Sequence, residues 1–243
     1  MRNGRCIFRL VAAATALLLP SLAGIVPAAR GVAADELPRV LLLGDSISIG
    51  YTPYVQQMLR DEAVVIRPMR SETAAENCSG TTYGGEHVER WLKLGGGRWD
   101  VIHFNFGLHD LKRVDPQSGA PSDNPQHPRQ AELDKYEAQL RTIVEKLQAT
   151  GATLIFATTT PVPEGRVRPH RDVEDPPRYN EAALRVMKQY KVAINDLYGF
   201  ALPRLEQIQH PVNVHFTPEG SRVLAEQVVR HIREALRQRS KAP

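Results

Sequence analysis

The chain has 243 residues, 42% hydrophobic and 24% charged, a balance that suits one globular domain with a sizeable core and excludes a disordered or low-complexity protein. Its formal charge of +4 says little about partners, because four of the 31 basic residues (Arg2, Arg5, Arg9 and Arg30) fall within the first 34, which hold no acid. Beyond Ala34 the basic and acidic side chains balance, with no basic stripe of the kind that binds nucleic acid.

The first element in chain order is a leader. Three arginines precede a largely apolar run from Leu10 to Pro27, interrupted by Pro20 and Gly24, and Val32-Ala33-Ala34 supplies small residues for cleavage. This predicts a signal peptide over 1–34, a domain over 35–243 and a secreted or periplasmic product with no stable membrane insertion. Cys6 leaves with the leader, so Cys78 has no intrachain partner and reads as a small buried residue.

Short aliphatic runs then alternate with segments of helical period. Strands are expected at Arg39–Leu43, Ala63–Arg67, Val101–Phe106, Thr153–Thr158 and Val192–Ile194. Helices are expected near Tyr51–Arg60, Gly85–Leu94, Ala131–Thr150 and Arg178–Tyr190. A last helix follows Thr217, read as its N-cap ahead of Pro218, and runs to about Arg237. The pattern is that of an α/β fold, a three-layer α/β/α sandwich around a parallel sheet of about five strands. Asp115–Arg129 and Pro161–Pro177 read as long polar loops at the carboxyl edge of that sheet, where open α/β folds place their sites.

Chemistry concentrates at two points. Gly44-Asp45-Ser46-Ile47 joins the first strand to a helical segment, which projects the Ser46 hydroxyl from the sheet edge beside free helical N–H groups. His215 stands in the turn before the last helix, and an imidazole is the base that makes a serine nucleophilic near neutral pH. His103, His127, His170 and His210 show no metal-ligand spacing, so no metal or other cofactor is implied, and no glycine-rich phosphate loop follows a strand. Gly95–Gly97 reads as a helix terminator, and Trp91 and Trp99 as packing residues.

In order along the chain, Gly44-Asp45-Ser46-Ile47, Ser79–Gly85, Gly107-Leu108-His109-Asp110 and His215–Gly220 resemble the four blocks of the SGNH/GDSL hydrolases. The resemblance implies the flavodoxin-like fold of that family and a catalytic pair of Ser46 and His215. It also implies an oxyanion hole built from the N–H groups of Ser46 and Gly80 and a side-chain donor from the third block. Two positions depart from the pattern. His109 stands where the family has asparagine, so His109 or, on the preceding strand, Asn105 is the side-chain donor, with Asp110 or a backbone carbonyl expected to fix the histidine tautomer. Val212 stands where the family places the triad aspartate. Asn213 is the nearest polar residue; Asp172, Glu174 or Asp175 are acids that can fold back from their loop. Asp45 and Asp110 read as acids that brace their turns.

The resemblance implies hydrolysis of a small-molecule or carbohydrate ester, O-acetylated saccharide first, and sets no oligomeric state. A lysophospholipase or thioesterase, and a glycan-binding protein that has lost catalysis, are the alternatives.

Overall fold

The computed structural model describes residues 37–241, so the expected leader lies outside the described residues. Five strands form one sheet: β1 (Arg39–Leu43), β2 (Val64–Ile66), β3 (Val101–Phe104), β4 (Thr153–Ala157) and β5 (Ala193–Asn195). Every pairing is parallel, in the order β2-β1-β3-β4-β5, as the alternating pattern requires. Both faces of a parallel sheet are covered, and the strands are accordingly rich in buried apolar residues, with polar ones such as Arg39, His103, Thr153 and Asn195 in the minority. Val40 to Leu43 are all fully buried, and Phe104 meets Phe156 edge to face in the middle of the core.

Helix α1 (Ser46–Leu59) packs against α7 (Pro218–Ser240) on one face. On the other, α2 (Thr81–Leu92) packs on α3 (Leu133–Gln148), and α3 on α4 (Asp175–Gln189). The α/β/α sandwich is therefore present. Two short helices, α5 (Leu197–Ala201) and α6 (Leu205–Ile208), were not expected, because four or five residues are too few to show a helical period.

One boundary matters for function. The first helix begins at Ser46, five residues before the expected Tyr51, because Asp45 caps it: the Asp45 carboxylate accepts the Ile47 N–H at 2.9 Å. The nucleophile candidate thus occupies the first helical turn, with Asp45 buried behind it. Thr217 caps α7 as expected, accepting from the Gly220 N–H at 2.9 Å with Pro218 next in the chain. A Cβ on Gly220 would lie 2.0 Å from the Ile208 carbonyl oxygen, so only glycine lets α7 start this close to the end of α6.

In this strand order the chain first moves outward from β1 to β2 and then crosses to β3, so β1 and β3 are neighbours at the reversal. The crevice between their carboxyl ends is the usual binding position in such sheets. Ser46 follows β1 and His109 follows β3. The two long polar loops lie at the same edge and are tied together by ion pairs of Arg113 and Arg129 with Asp172, and of Arg129 with Asp175. Trp91, Trp99 and Cys78 are core residues, and burial pushes the Cys78 thiol up to about 12, which leaves it unreactive near neutral pH.

Candidate active site

Ser46 and His215, 169 residues apart in sequence, meet at the sheet edge with Ser46 Oγ 2.9 Å from His215 Nε2. The turn carrying His215 is fastened from several sides. The His210 N–H donates to the His215 carbonyl at 3.0 Å, the Thr217 N–H to the Ile208 carbonyl at 2.9 Å, and the Gln209 amide to the carbonyls of Val214 and Pro161.

Behind the imidazole stands Asn213. Its Oδ1 lies 2.8 Å from His215 Nδ1 and also accepts the His215 backbone N–H at 3.0 Å. Because a backbone N–H can only donate, the Asn213 atom facing it is the oxygen, which makes Nδ1 the protonated ring nitrogen and leaves the Nε2 lone pair towards Ser46. Val212 adopts φ 51°, an uncommon conformation for a β-branched residue, and this tightened turn lets a side chain two positions before the histidine reach it. The loop acids lie elsewhere: Asp172 pairs with Arg113, Arg129 and His170, and Asp175 with Arg129 and Arg178.

The second and third blocks are joined by Asp110. Its carboxylate accepts the Thr81 N–H at 2.7 Å and the Thr81 hydroxyl at 2.6 Å, pinning the start of α2 to the turn after β3. Complete burial raises its pKa to about 6 despite those bonds. A Cβ on Gly80 would stand 2.7 Å from Asp110 Oδ1 and 2.9 Å from Gln130 Nε2, so the clamp needs glycine there. Gly80 is the N-cap of α2 and Ser46 the first residue of α1, so the N–H groups of both precede the intrahelical ladder.

His109 is half-buried, with Lys112 Nζ 3.2 Å from its Nδ1. An ammonium only donates, so Nδ1 accepts and Nε2 carries the proton. Burial, then Lys112 and Arg171, lower its pKa to about 3, so the ring is neutral. The expected tautomer-setting group, Asp110 or a carbonyl, is thus replaced by a lysine three residues further on. The spacing of three was visible in sequence; that both residues sit in one tight turn was not. Asn105 has its amide N–H on the Ala157 carbonyl at 2.7 Å, joining the ends of β3 and β4.

Arg171, from the second long loop, is the other residue that sequence reasoning passed over. It is 6% exposed, donates from Nε to the Leu108 carbonyl at 2.9 Å, and its charge acts on Asp45, His109 and His215. Burial first, then Arg171 and His210, lower the pKa of His215 below its ordinary value. Among the described residues no group of three or more His, Cys, Asp or Glu side chains is placed to hold a metal ion, and no helix is long and apolar enough to cross a membrane.

The pattern of the GDSL-like lipase/acylhydrolase family matches residues 42–223, which takes in Ser46, Gly80, His109 and His215. Among solved structures, the acetyl xylan esterase AlAXEase is similar at 16% identity, with 80% of this chain and 99% of that one covered and a TM-score of 0.62. A lipase/acylhydrolase from Enterococcus faecalis is similar at 18% identity, with 81% and 95% covered and a TM-score of 0.63. An acetylxylan esterase from Geobacillus stearothermophilus is similar at 18% identity, with 80% and 94% covered and a TM-score of 0.57. At these identities the likeness is one of fold. No curated protein sequence matches the chain. With three quarters of its length inside the family pattern, the chain belongs to the GDSL-like lipase/acylhydrolase family, whose members share this α/β fold, and is a hydrolase acting on ester bonds.

Proposed function

We propose that the protein is an exported serine esterase that removes short acyl groups, acetyl foremost, from a saccharide. The observation that carries the mechanism is the 2.9 Å contact of Ser46 Oγ with a His215 whose other nitrogen is held by Asn213. Ser46 Oγ attacks the ester carbonyl carbon while His215 Nε2 takes its proton. The alkoxy group departs with that proton, leaving an acyl-enzyme. Water then attacks the acyl carbon, gives a proton to Nε2, and the acid leaves as Ser46 recovers its hydrogen.

Negative charge on the former carbonyl oxygen would be met by the N–H groups of Ser46 and Gly80 and by His109 Nε2–H. Each fixed donor of this kind is worth about 10² to 10³ in rate. His109 is favoured over Asn105 because it stands in the third block itself and its donor nitrogen is fixed by Lys112, whereas Asn105 is turned to the Ala157 carbonyl with one of its two amide hydrogens. Gly80→Ala tests the hole: the added methyl meets Asp110 and Gln130, displaces the N–H, and should lower kcat by about 10² with KM little changed. Equal loss in KM with kcat intact would assign Gly80 to substrate binding instead.

The cavity bounded by Asp45, Ile47, Ser48, Tyr51, Asn105 and Leu108 has a volume of about 10 Å³, scarcely one water, so it cannot receive a long acyl chain running inward beneath the start of α1. A groove of about 460 Å³ beside the His215 turn is lined by Leu205, Pro163 and Pro211 together with Glu164 and Glu206, and the ester comparison below tests whether an acyl chain uses it.

The test is a pH–rate profile on 4-nitrophenyl acetate and octanoate. The acetate should be the better ester, and octanoate preference would point to lipid or thioester chemistry. A base must be unprotonated, so the rate falls as pH drops through the His215 pKa. Burial, Arg171 and His210 all lower that pKa, so the midpoint of the acid limb should lie below the ordinary imidazole value of 6.5. A midpoint above it overturns the role of His215.

A further inference from the structure

Two cations stand beside the reacting pair without a carboxylate partner. Arg171 is 6% exposed; its Nε and Nη1 donate to the carbonyls of Leu108 and Pro169 at 2.9 and 3.1 Å, and no protein acceptor among the described residues takes its Nη2. Lys112 is half-buried and bonded to His109. The contrast with the neighbouring arginines is informative. Arg113, Arg129, Arg168 and Arg178 in the same pair of loops and the helix that follows each have an aspartate within ion-pair distance. Arg67, equally buried on the far side of α1, has both terminal nitrogens occupied by Ser48, Thr52, Gly44 and Glu76.

A guanidinium taken out of water without a counter-ion is costly, and burial lowers the Arg171 pKa to about 10, which still leaves it charged at neutral pH. Asp45, the one acid whose charge acts on Arg171, already caps α1. Lys112 and Arg171 also repel each other, and each charge acts on the His109 ring. A fold sustains two such charges at the mouth of a site where an anion arrives to neutralise them, and a planar fork beside a point charge is suited to an oxyanion group.

We propose that Arg171 and Lys112 form an anion subsite, and that the ester cleaved at Ser46 is carried on an acidic saccharide with a carboxylate or sulfate close to the acylated hydroxyl. This rests on the serine-esterase reading, so it is tested both with and without turnover. Calorimetric titration of the full chain carrying Ser46→Ala should show methyl glucuronide or methyl glucoside 6-sulfate binding about 10- to 100-fold tighter than methyl glucoside. Whichever of the two charged sugars binds more tightly identifies the anion.

The acetylated forms of the same sugars should show a matching gap in kcat/KM, and the gap should shrink with added salt. Arg171→Gln and Lys112→Gln should close it. Should Arg171→Gln fail to fold, Lys112→Gln and the salt dependence carry the test. Equal affinity for charged and neutral sugars overturns the subsite, as does a charged-to-neutral ratio of kcat/KM that the variants leave unchanged; Lys112→Gln is read through that ratio alone, because losing Lys112 also frees the His109 tautomer and lowers turnover of both esters. Absence of turnover on every ester with the binding gap intact would sink the esterase reading and leave the subsite standing.

Discussion

Replacing Ser46 with alanine should lower kcat on 4-nitrophenyl acetate by about 10³-fold or more while the melting temperature stays where it was. The loss is large because every step of the proposed route passes through one oxygen: it attacks, carries the acyl group and is regenerated. The melting temperature is spared because Ser46 is half-buried and its hydroxyl is bonded to His215 at the surface, whereas the helix start is held by the neighbouring Asp45. Rates within a few-fold of the native enzyme would remove Ser46 from the reaction. Covalent capture offers a second reading of the same claim, since a 4-nitrophenyl phosphonate should add its phosphonyl group to Ser46 in the native chain and not in the variant.

Asn213 gives the second large effect, and the two substitutions there should act in opposite directions. With Asn213→Ala, Nδ1–H loses its acceptor, the ring is free to turn and change tautomer, and kcat should fall by about 10- to 100-fold. With Asn213→Asp, a carboxylate takes the same place and stabilises the imidazolium formed as Ser46 attacks. Loss of a triad carboxylate costs about 10⁴ where the amide also fixes the wrong tautomer. Here Asn213 already fixes the productive one, so the gain should be smaller, about tenfold. The sign of the pH effect follows from charge: an anion beside the ring raises the His215 pKa, so the acid limb moves to higher pH even as the plateau rises. An unchanged limb would mean that the new carboxylate does not reach Nδ1.

Much of this was legible in the residues. The parallel sheet follows from apolar runs spaced by helical segments, and β1 was placed residue for residue because it is buried on both faces and bounded by Pro38 and Gly44. What escaped was decided by local geometry or distance. The helix is expected only from Tyr51 because Ser-Ile-Ser-Ile-Gly at 46–50 alternates and shows no helical period, while the Asp45 cap that starts the helix is a matter of backbone angle. Asn213 is the nearest polar residue in sequence and can orient an imidazole, though it does not stabilise imidazolium as a carboxylate does; that it reaches Nδ1 from two positions back depends on a left-handed Val212, which is a matter of backbone angle. Lys112 and Arg171 were passed over for another reason. A cation is informative only when it lacks a partner, and partners such as Asp172 for Arg113 lie 59 residues away in sequence.

The pairing of α1 with α7 bears on biosynthesis. The nucleophile is made before its base, which stands 169 residues further along the chain on the turn that leads into α7. A nascent chain therefore carries an unpaired serine until α7 has been made and has docked on α1. Hydrolytic power would in this way arrive only with the assembled fold, however early the serine itself is made.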